Sequence, residues 1–365
     1  MHTRGVHLSY GLGLDLGTAF TAAAIHRADL TQMVRLRSHS VLLPSVVRVA
    51  PDGSLTTANT GGPEIAAHLF RRRLGDSTPI RLGGHDCTAG ELLTALLVSA
   101  LGRVTAKHGG TPPGHVVVTF PAVWGPYRRE QFAEVTRRAG LARGQVTLLA
   151  EAEAVTAWHL GHRPPAGPEP IAVYDAGGST FDATVIRTSP NSIGVLGVPE
   201  SLEWFGGVDL DDAVMAHLDL ASDGAVGLLD SGRPDDSAAL RQVRDACVQA
   251  KETLSTARQV VVEAELPGTG HRPTLDRDQL EQWIRPQLTA GLPALRRVLD
   301  SAGVRAADLG AVLLTGGTAR IPLVSAMLAE DLGRPVTVLA DPQYSAALGA
   351  AALAGRIISG AGPGL

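Results

Sequence analysis

Two stretches of the chain share a pattern in which an apolar run is interrupted by an acid and a glycine-containing turn. In the later stretch, the apolar run that begins at Ile171 ends at Asp175, and an alternating apolar run resumes at Phe181. The residues of the intervening turn include Gly177, Gly178, Ser179 and Thr180. Apolar alternation on either side of a glycine turn predicts a strand, a tight turn and a second strand.

The residue types in this turn are suited to binding phosphate. Glycines lack a Cβ atom and let backbone N–H groups approach an anion, and a carboxylate at the end of a strand can hold a hydrated Mg²⁺. A plain glycine-rich hairpin is the structural alternative, because short motifs often match by chance.

A second copy of the pattern lies near the N-terminus, at residues 10–27. Asp15, Gly17, Thr18 and Phe20 repeat the spacing of the later hairpin, whose turn is one residue longer, and Ala19 completes the first turn. A unit that recurs half a chain apart predicts two similar lobes. Two such hairpins facing each other across a cleft would clamp a single polyphosphate.

Apolar periodicity and turn residues predict the remaining elements. Strands are expected at 33–37, 45–50, from Thr56 to Ala58, and at 115–120, 146–149, 260–265 and 312–314. Helices are expected at 64–70, 88–107 with a Thr88 cap, 127–140, after Ala150, from Asp209, at 237–256, from Asp276 to an interruption at Pro286, onward to Ala302, and over 346–351.

Length and composition limit the class of protein. With 365 residues, 44% of them hydrophobic, and a net charge of −4, the chain predicts a globular protein of two lobes and offers no electrostatic basis for binding nucleic acid. Cys87 and Cys247 are isolated and lack metal-ligand spacing, which indicates a reducing, cytoplasmic setting. No membrane-spanning run or signal peptide is expected.

The paired hairpins resemble the phosphate loops of the actin-like ATPase superfamily. The motifs DLGT, at 15–18, and DAGGSTFD, at 175–182, are most similar to those of the DnaK-type (seventy-kilodalton heat-shock) chaperones, whose second loop usually reads D-L-G-G-G-T-F-D. The resemblance implies an α/β fold of two lobes, with ATP or ADP and Mg²⁺ in the cleft between them.

The resemblance also implies roles for residues near the phosphates. Asp15 and Asp175 would hold Mg²⁺ through water. Arg71, in the segment FRRRLG, stands where the family has a lysine that reaches the γ-phosphate, although a solvated basic helix end is an alternative. Glu151 matches the glutamate that positions the attacking water. The hairpin residues implied to bind phosphate are Gly17, Thr18, Ala19, Gly177, Gly178, Ser179 and Thr180.

Three further segments resemble the family's other nucleotide contacts. Gly206 and Gly207 precede a helix and are interpreted as a third phosphate contact, because a helix N-terminus presents N–H groups and positive dipole. Adenosine contacts are implied for Lys251, Glu252, Ser255, Gly316, Gly317, Thr318 and Arg320. Glu252 departs from the family's arginine, which would stack on adenine, and thereby places nucleotide affinity in question.

The domain organisation follows from the same resemblance. Lobe I is expected at 1–170, with 39–111 as its peripheral subdomain and 342–365 packing back on it. Lobe II is expected at 171–341, with 209–290 as its peripheral subdomain, and no peptide-binding domain is expected in these residues.

The function implied is that of a chaperone-like ATPase module, with slow hydrolysis, lobe closure on ATP, and co-chaperone or client proteins as possible partners. A small-molecule kinase and a filament-forming protein of the same superfamily are the alternatives, because the fold alone does not determine function.

Overall fold

The computed structural model describes residues 9–50, 52–57, 69–164, 167–189, 192–202, 205–230, 232–264 and 272–360. The strands within these residues are β1 (Gly11–Leu16), β2 (Phe20–Arg27), β3 (Leu30–Met33), β4 (Leu42–Pro44), β5 (Val47–Val49), β6 (Leu55–Thr57), β7 (Ile80–Leu82), β8 (His85–Cys87), β9 (His115–Phe120), β10 (Val146–Ala150), β11 (Pro170–Ala176), β12 (Phe181–Ser189), β13 (Ser192–Leu202), β14 (Gln259–Val261), β15 (Thr274–Asp276), β16 (Ala311–Thr315) and β17 (Thr337–Val338). The α-helices are α1 (Ala89–Lys107), α2 (Pro126–Arg138), α3 (Glu151–His162), α4 (Gly207–Ala221), α5 (Pro234–Leu254), α6 (Arg277–Ala302), α7 (Pro322–Leu332) and α8 (Ser345–Ile358).

Two sheets of the same topology form the centre of the molecule. The first has the order β10-β9-β1-β2-β3, with β4 also paired to β2, and the second has the order β17-β16-β11-β12-β13. In each sheet the first strand of the hairpin is parallel to a later strand on one side and antiparallel to its hairpin partner on the other. The duplication seen in the two hairpins therefore extends to two whole sheets.

The central strands are apolar on both faces because helices cover both sides of each sheet. All six residues of β9 are buried, and Leu12, Leu14 and Leu16 of β1 are fully buried. Sheets covered on both faces have this continuous rather than alternating apolar pattern. Each sheet has its own large apolar core, so the predicted α/β architecture of two similar lobes is confirmed.

Two helices pack between the sheets. Helix α8, near the end of the chain, packs on β1, β2 and β9 of the first sheet, and it also packs against α3. Helix α3 in turn contacts β11 of the second sheet, where Val155 joins a cluster with Val173 and Leu313. Each of these helices thus follows the strands of one sheet and packs against the other.

Helix α1 contradicts the expectation that no apolar run reaches membrane-spanning length. It begins with a complete capping box between Thr88 and Glu91, as predicted. By length and hydropathy alone it is long and apolar enough to cross a membrane, contrary to the expectation that no run reaches that length. Its residues Leu92, Leu96 and Val104 are fully buried in the first core, as those of a core helix are.

Helix α6 continues through two prolines, so the predicted interruption at Pro286 is wrong. Pro286 and Pro293 both lie inside the helix, on its exposed side. A proline removes one intrahelical hydrogen bond, at a cost of about 3 kcal/mol. The opposite face buries apolar residues on both sides of the prolines, among them Ile284 and Leu295, and this burial outweighs the lost bonds.

Several other predictions differ from the structure in detail. The strand expected at 33–37 is wrong apart from Met33: β3 spans Leu30–Met33, and residues 34–37 are not in a strand. The strands β7, β8 and β13 had no counterpart among the predictions. In β13, glycines at 194 and 197 and a proline at 199 interrupt the alternation of apolar and polar residues that indicates a strand. The helix expected at 64–70 lies largely outside the described residues, as does the end of the strand expected at 260–265.

Candidate nucleotide site between the two lobes

The turns of the two hairpins touch each other. A Cβ atom built on Gly178, in the second hairpin, would lie 2.6 Å from the Cβ atom of Ala19, in the first. Only a glycine allows the two turns to come this close. The structure thus brings the residues predicted to bind phosphate, at 17–19 and 177–180, to the same place, although their sequence positions are about 160 residues apart.

Four carboxyl groups lie beneath these turns: Glu151 and Asp182 are buried, and Asp15 and Asp175 are half-buried. Burial, and then the charge of Glu151, raises the pKa of Asp15 to about 6. Burial raises the pKa of Asp175 well above its usual range, with further contributions from Glu151, Asp182 and Asp15. The pKa of Asp182 is raised to about 6, by burial and by Glu151. The charge of Glu151 contributes to the raised pKa of all three aspartates, so the four side chains form one electrostatic cluster.

The positions of these acids follow from the topology. Asp15 is the penultimate residue of β1, and Asp175 is the penultimate residue of β11, the equivalent strand of the second sheet. The Thr119 hydroxyl of the neighbouring strand β9 donates a hydrogen bond to Asp15 Oδ1 at 2.8 Å. Glu151 is the first residue of α3, directly after β10. Because β1, β9 and β10 are parallel and end at the same edge of the first sheet, Asp15 and Glu151 lie at that edge, and Asp175 lies at the corresponding edge of the second sheet.

Arg71 supplies the cation that faces this cluster. It lies on a 3₁₀ turn, Phe70–Arg73, and its guanidinium forms a buried ion pair with Glu151. The guanidinium also lies over the ring of Trp124, 5.5 Å from its centroid, an arrangement typical of cation–π contacts. Arg71 is therefore held inside the cleft, rather than in solvent as the basic helix end considered above would be.

The next residue of the turn, Arg72, reaches from the first lobe to the second. Its Nε donates to the Ser179 hydroxyl at 3.2 Å, and its Nη2 donates to the Ser179 carbonyl oxygen. Ser179 is almost fully buried. The sequence analysis assigned no role to Arg72, and a run of three arginines offered no indication of which one faces inward.

Asp182 is a member of the cluster that the sequence analysis did not propose as a site residue. It pairs directly with Asp175 in the register of the second hairpin, so both carboxyl groups project from the same face. Thr180 Oγ1 donates to Asp182 Oδ2 at 2.9 Å. Asp182 Oδ1 and Ser201 Oγ are buried and have no hydrogen-bond partner among the described residues. The hairpin register, if applied to the last residue of DAGGSTFD, would have identified Asp182.

The N-terminus of α4 makes its contacts within the second lobe. The Gly207 N–H donates to the Gly177 carbonyl at 3.0 Å, and the Val208 N–H donates to the Gly178 carbonyl at 2.8 Å. The Gly206 N–H donates to the Asp209 carboxylate at 2.7 Å. A phosphate could use these groups only after the bonds are broken, and the third phosphate contact at Gly206 and Gly207 stays a prediction.

The residues proposed for adenosine lie on two segments next to the second hairpin. Lys251 Nζ pairs with Asp211 at 2.7 Å and donates to the Gly207 carbonyl at 2.7 Å. The Thr318 hydroxyl donates to the Gly177 carbonyl at 2.9 Å. Lys251 and Thr318 thus converge on the stretch 177–207, where they stabilise the turn and the start of α4.

Gly316 and its neighbours complete this side of the cleft. Gly316 has a φ of 85°, and a Cβ atom there would lie 2.4 Å from Asp175 Oδ1, so the position requires glycine. Gly317 begins a short 3₁₀ turn that ends at Arg320, an exposed residue whose Nε donates to Gln343 at 2.9 Å.

The remaining two residues proposed for adenosine lie at the end of α5. Glu252 is exposed, and Ser255 follows the last residue of the helix. Glu252 therefore presents an exposed acid where the family has an arginine that would stack on adenine.

The donor set is compatible with a cation held through water. Among the described residues, no group of three His, Cys, Asp or Glu side chains is arranged to hold a metal ion directly. The unpartnered Asp182 Oδ1, together with the raised pKa values of Asp15 and Asp175, marks a place where a positive charge would be favourable. Carboxylates that bind Mg²⁺ commonly do so with most of its water shell retained.

These features define the class of protein. Two lobes of equal topology, with an acidic hairpin from each meeting in the cleft, constitute the two-lobed fold of actin-like ATPases. A family model described as "Hsp70 protein" matches residues 76–363 of the chain. The chain belongs to the Hsp70 family.

Curated relatives agree with this assignment. The chain is 30% identical over 381 residues to a "Chaperone protein HscA homolog" of Acidithiobacillus ferrooxidans, covering 95% of this chain and 58% of that protein. It is 31% identical over 371 residues to "Chaperone protein HscA" of Escherichia coli, and 32% identical over 370 residues to that of Pectobacterium atrosepticum. Each of these two matches covers 93% of this chain and 57% of the relative. The chain therefore spans a little more than half the length of the curated relatives it matches.

Proposed function

We propose that this chain is an ATP-binding and slowly ATP-hydrolysing module, in which nucleotide state controls the closure of two lobes. The observation that carries the proposal is the meeting of the two hairpin turns over the acid cluster of Asp15, Asp175, Asp182 and Glu151, with Arg71 as its cation. Membership of the Hsp70 family and similarity to curated chaperones support the same function.

Backbone and hydroxyl groups of the two turns would bind the β- and γ-phosphates. Thr18 and Thr180 line the same small cavity, which supports a shared role of one hydroxyl from each lobe in binding phosphate. Arg71 would offset charge on the γ-phosphate. Asp15 and Asp175 would hold Mg²⁺ through water, and the ion would neutralise phosphate charge.

Glu151 would accept a hydrogen bond from the attacking water and orient it toward the γ-phosphate. In this structure the Glu151 carboxylate is bonded to Arg71, so catalysis requires that the bound phosphate draw Arg71 away or share it. Rate enhancement at such a site comes from positioning and electrostatics rather than from covalent chemistry. Hydrolysis is expected to be slow, because the orienting carboxylate is itself engaged.

We propose that the lobes comprise 1–170 with 342–365, and 171–341, and that they close on ATP because each supplies one phosphate hairpin. The output would be binding of a co-chaperone or client protein. The two buried free thiols, Cys87 and Cys247, support a reducing, cytoplasmic location.

The deciding experiment measures phosphate production from ATP and MgCl₂ by the purified chain, without any added acceptor. We expect slow turnover that EDTA abolishes and that the substitution Asp175→Asn removes. A chain that binds ATP but forms phosphate only when a small-molecule acceptor is added would instead be a kinase of the same fold.

A further inference from the structure

Two cavities on the first-lobe side of the cleft meet at Arg72. The outer one, of about 330 Å³, opens to solvent between the 3₁₀ turn and the start of α2, beside the exposed Tyr127. The inner one, of about 20 Å³, has Thr18, Thr180 and Asp182 in its wall. Arg72 and Arg128 line both cavities, so the two cavities adjoin at these arginines and together span the distance from the phosphate hairpins to the surface.

Arginines line both cavities. Arg72, Arg73 and Arg128 line the outer cavity, and the one acid in its lining, Asp76, already accepts hydrogen bonds from Arg73 and from the Thr78 N–H. The smaller cavity is lined by Arg71, Arg72 and Arg128 and by one acid, Asp182. Guanidinium groups match the geometry of phosphate oxygens. An anion released beside Asp182 therefore meets guanidinium groups from the smaller cavity to the outer one.

Arg72 is common to the linings of both cavities, and its two hydrogen bonds to Ser179 hold its guanidinium in place. The inner cavity is little larger than the space of about 10–15 Å³ that one water needs. A phosphate ion passes only when Arg72 leaves Ser179.

We propose that inorganic phosphate leaves the site through this arginine-lined path, with Arg72 as its gate. The proposal rests on the ATP hydrolysis proposed above. Arg72 is held by both the hydroxyl and the carbonyl oxygen of Ser179, whereas a glycine at this position would offer only the carbonyl oxygen.

The test uses ADP-bound protein equilibrated with inorganic phosphate and then mixed with an excess of a fluorescent phosphate sensor. The rate of phosphate dissociation is measured without any cleavage step. Arg72→Ala is expected to raise this rate about tenfold, because the gate is lost. Arg73→Glu is expected to lower it several-fold, because the mouth then repels the anion. Arg81→Glu makes the same charge change at an exposed residue that lines neither cavity, and it should match wild type.

A second measurement locates the ion without nucleotide. Millimolar inorganic phosphate should shift the side-chain Nε–Hε NMR resonances of Arg72 and Arg73 in the nucleotide-free protein, whereas chloride at equal ionic strength should not. The proposal is overturned if these resonances do not move, or if Arg72→Ala and Arg73→Glu both release phosphate at the wild-type rate. ADP binding, checked by calorimetry, separates such a failure from a failure of the proposed nucleotide site.

Discussion

The guanidinium of Arg71 and the carboxylate of Glu151 form a buried ion pair, although the two residues are 80 positions apart in the chain. Each side chain is only 9% exposed. Both groups have a proposed role in catalysis, one toward the γ-phosphate and the other toward water. In the proposed mechanism, this pair links nucleotide binding to the release of Glu151, which would then orient the attacking water.

The first prediction concerns the stability of this pair. Arg71→Ala should lower the free energy of unfolding by about 3–5 kcal/mol, because it leaves Glu151 buried and uncompensated. The double variant Arg71→Ala/Glu151→Ala should lose less than the sum of the single changes. Urea denaturation of wild type, Arg71→Ala, Glu151→Ala and the double variant gives the four free energies of unfolding. Arg73→Ala, which breaks a surface pair with Asp76, should cost at most about 1 kcal/mol. Additive effects at 71 and 151 would show that the pair is not coupled.

The second prediction concerns the acid cluster. Asp175→Asn should abolish phosphate production and leave the fold intact, because it removes a charge proposed to hold Mg²⁺ through water. The burial of Asp175 makes the neutral amide tolerable, so circular dichroism and the urea midpoint should show no loss of stability. Asp15→Asn should behave similarly. Wild-type turnover by purified Asp175→Asn would contradict the metal assignment.

The third prediction separates chemistry from binding. Glu151→Gln should lower kcat at least tenfold while the Kd for ATP changes little, because Glu151 is proposed to act on water rather than on nucleotide. Single-turnover kinetics gives the rate of cleavage, and calorimetry gives the Kd. A loss of ATP affinity as large as the loss of rate would instead place Glu151 among the nucleotide contacts.

The fourth prediction is a dependence of stability on pH. The pKa of Asp182 is raised from 3.8 to about 6 in the folded protein, so the folded state binds more protons than the unfolded state between these values. The free energy of unfolding contributed by this group therefore falls as pH rises from about 4 to 6, by roughly 3 kcal/mol, and is constant above that range.

Urea denaturation of nucleotide-free protein at pH 4.5 and pH 7 measures this dependence. Asp182→Asn should reduce the loss of stability on going to the higher pH, and Asp300→Asn, at an exposed position on α6, should not. Equal pH dependence in wild type and Asp182→Asn would exclude Asp182 as a contributor.

The fifth prediction concerns the base. Glu252→Arg should tighten ADP binding, by about tenfold or less, because it places a cation where the family stacks an arginine on adenine. Glu252→Gln is the control, since it removes the acid without adding a cation, and its gain should be smaller. Calorimetry gives both affinities. Unchanged or weaker ADP binding by Glu252→Arg would mean that adenine is held differently.

The sequence by itself determined the elements whose information is local. The two hairpins were identified because strand alternation, an acid and a glycine turn lie within about 17 residues of each other. Helix α1 was identified from its cap and periodicity. The repetition of the hairpin also predicted two lobes, because each copy of the hairpin forms part of its own sheet.

Only the tertiary structure decided which distant side chains meet. The sequence already pointed to Arg71, but that Arg72 also faces inward, whereas Arg73 pairs with Asp76 at the surface, depends on the orientation of one 3₁₀ turn against the cleft. The continuity of α6 through Pro286 depends on burial of its opposite face, which outweighs a local penalty. Sequence patterns describe neighbours along the chain, whereas ion pairs, the packing of one lobe on the other and raised pKa values arise from groups that folding alone brings together.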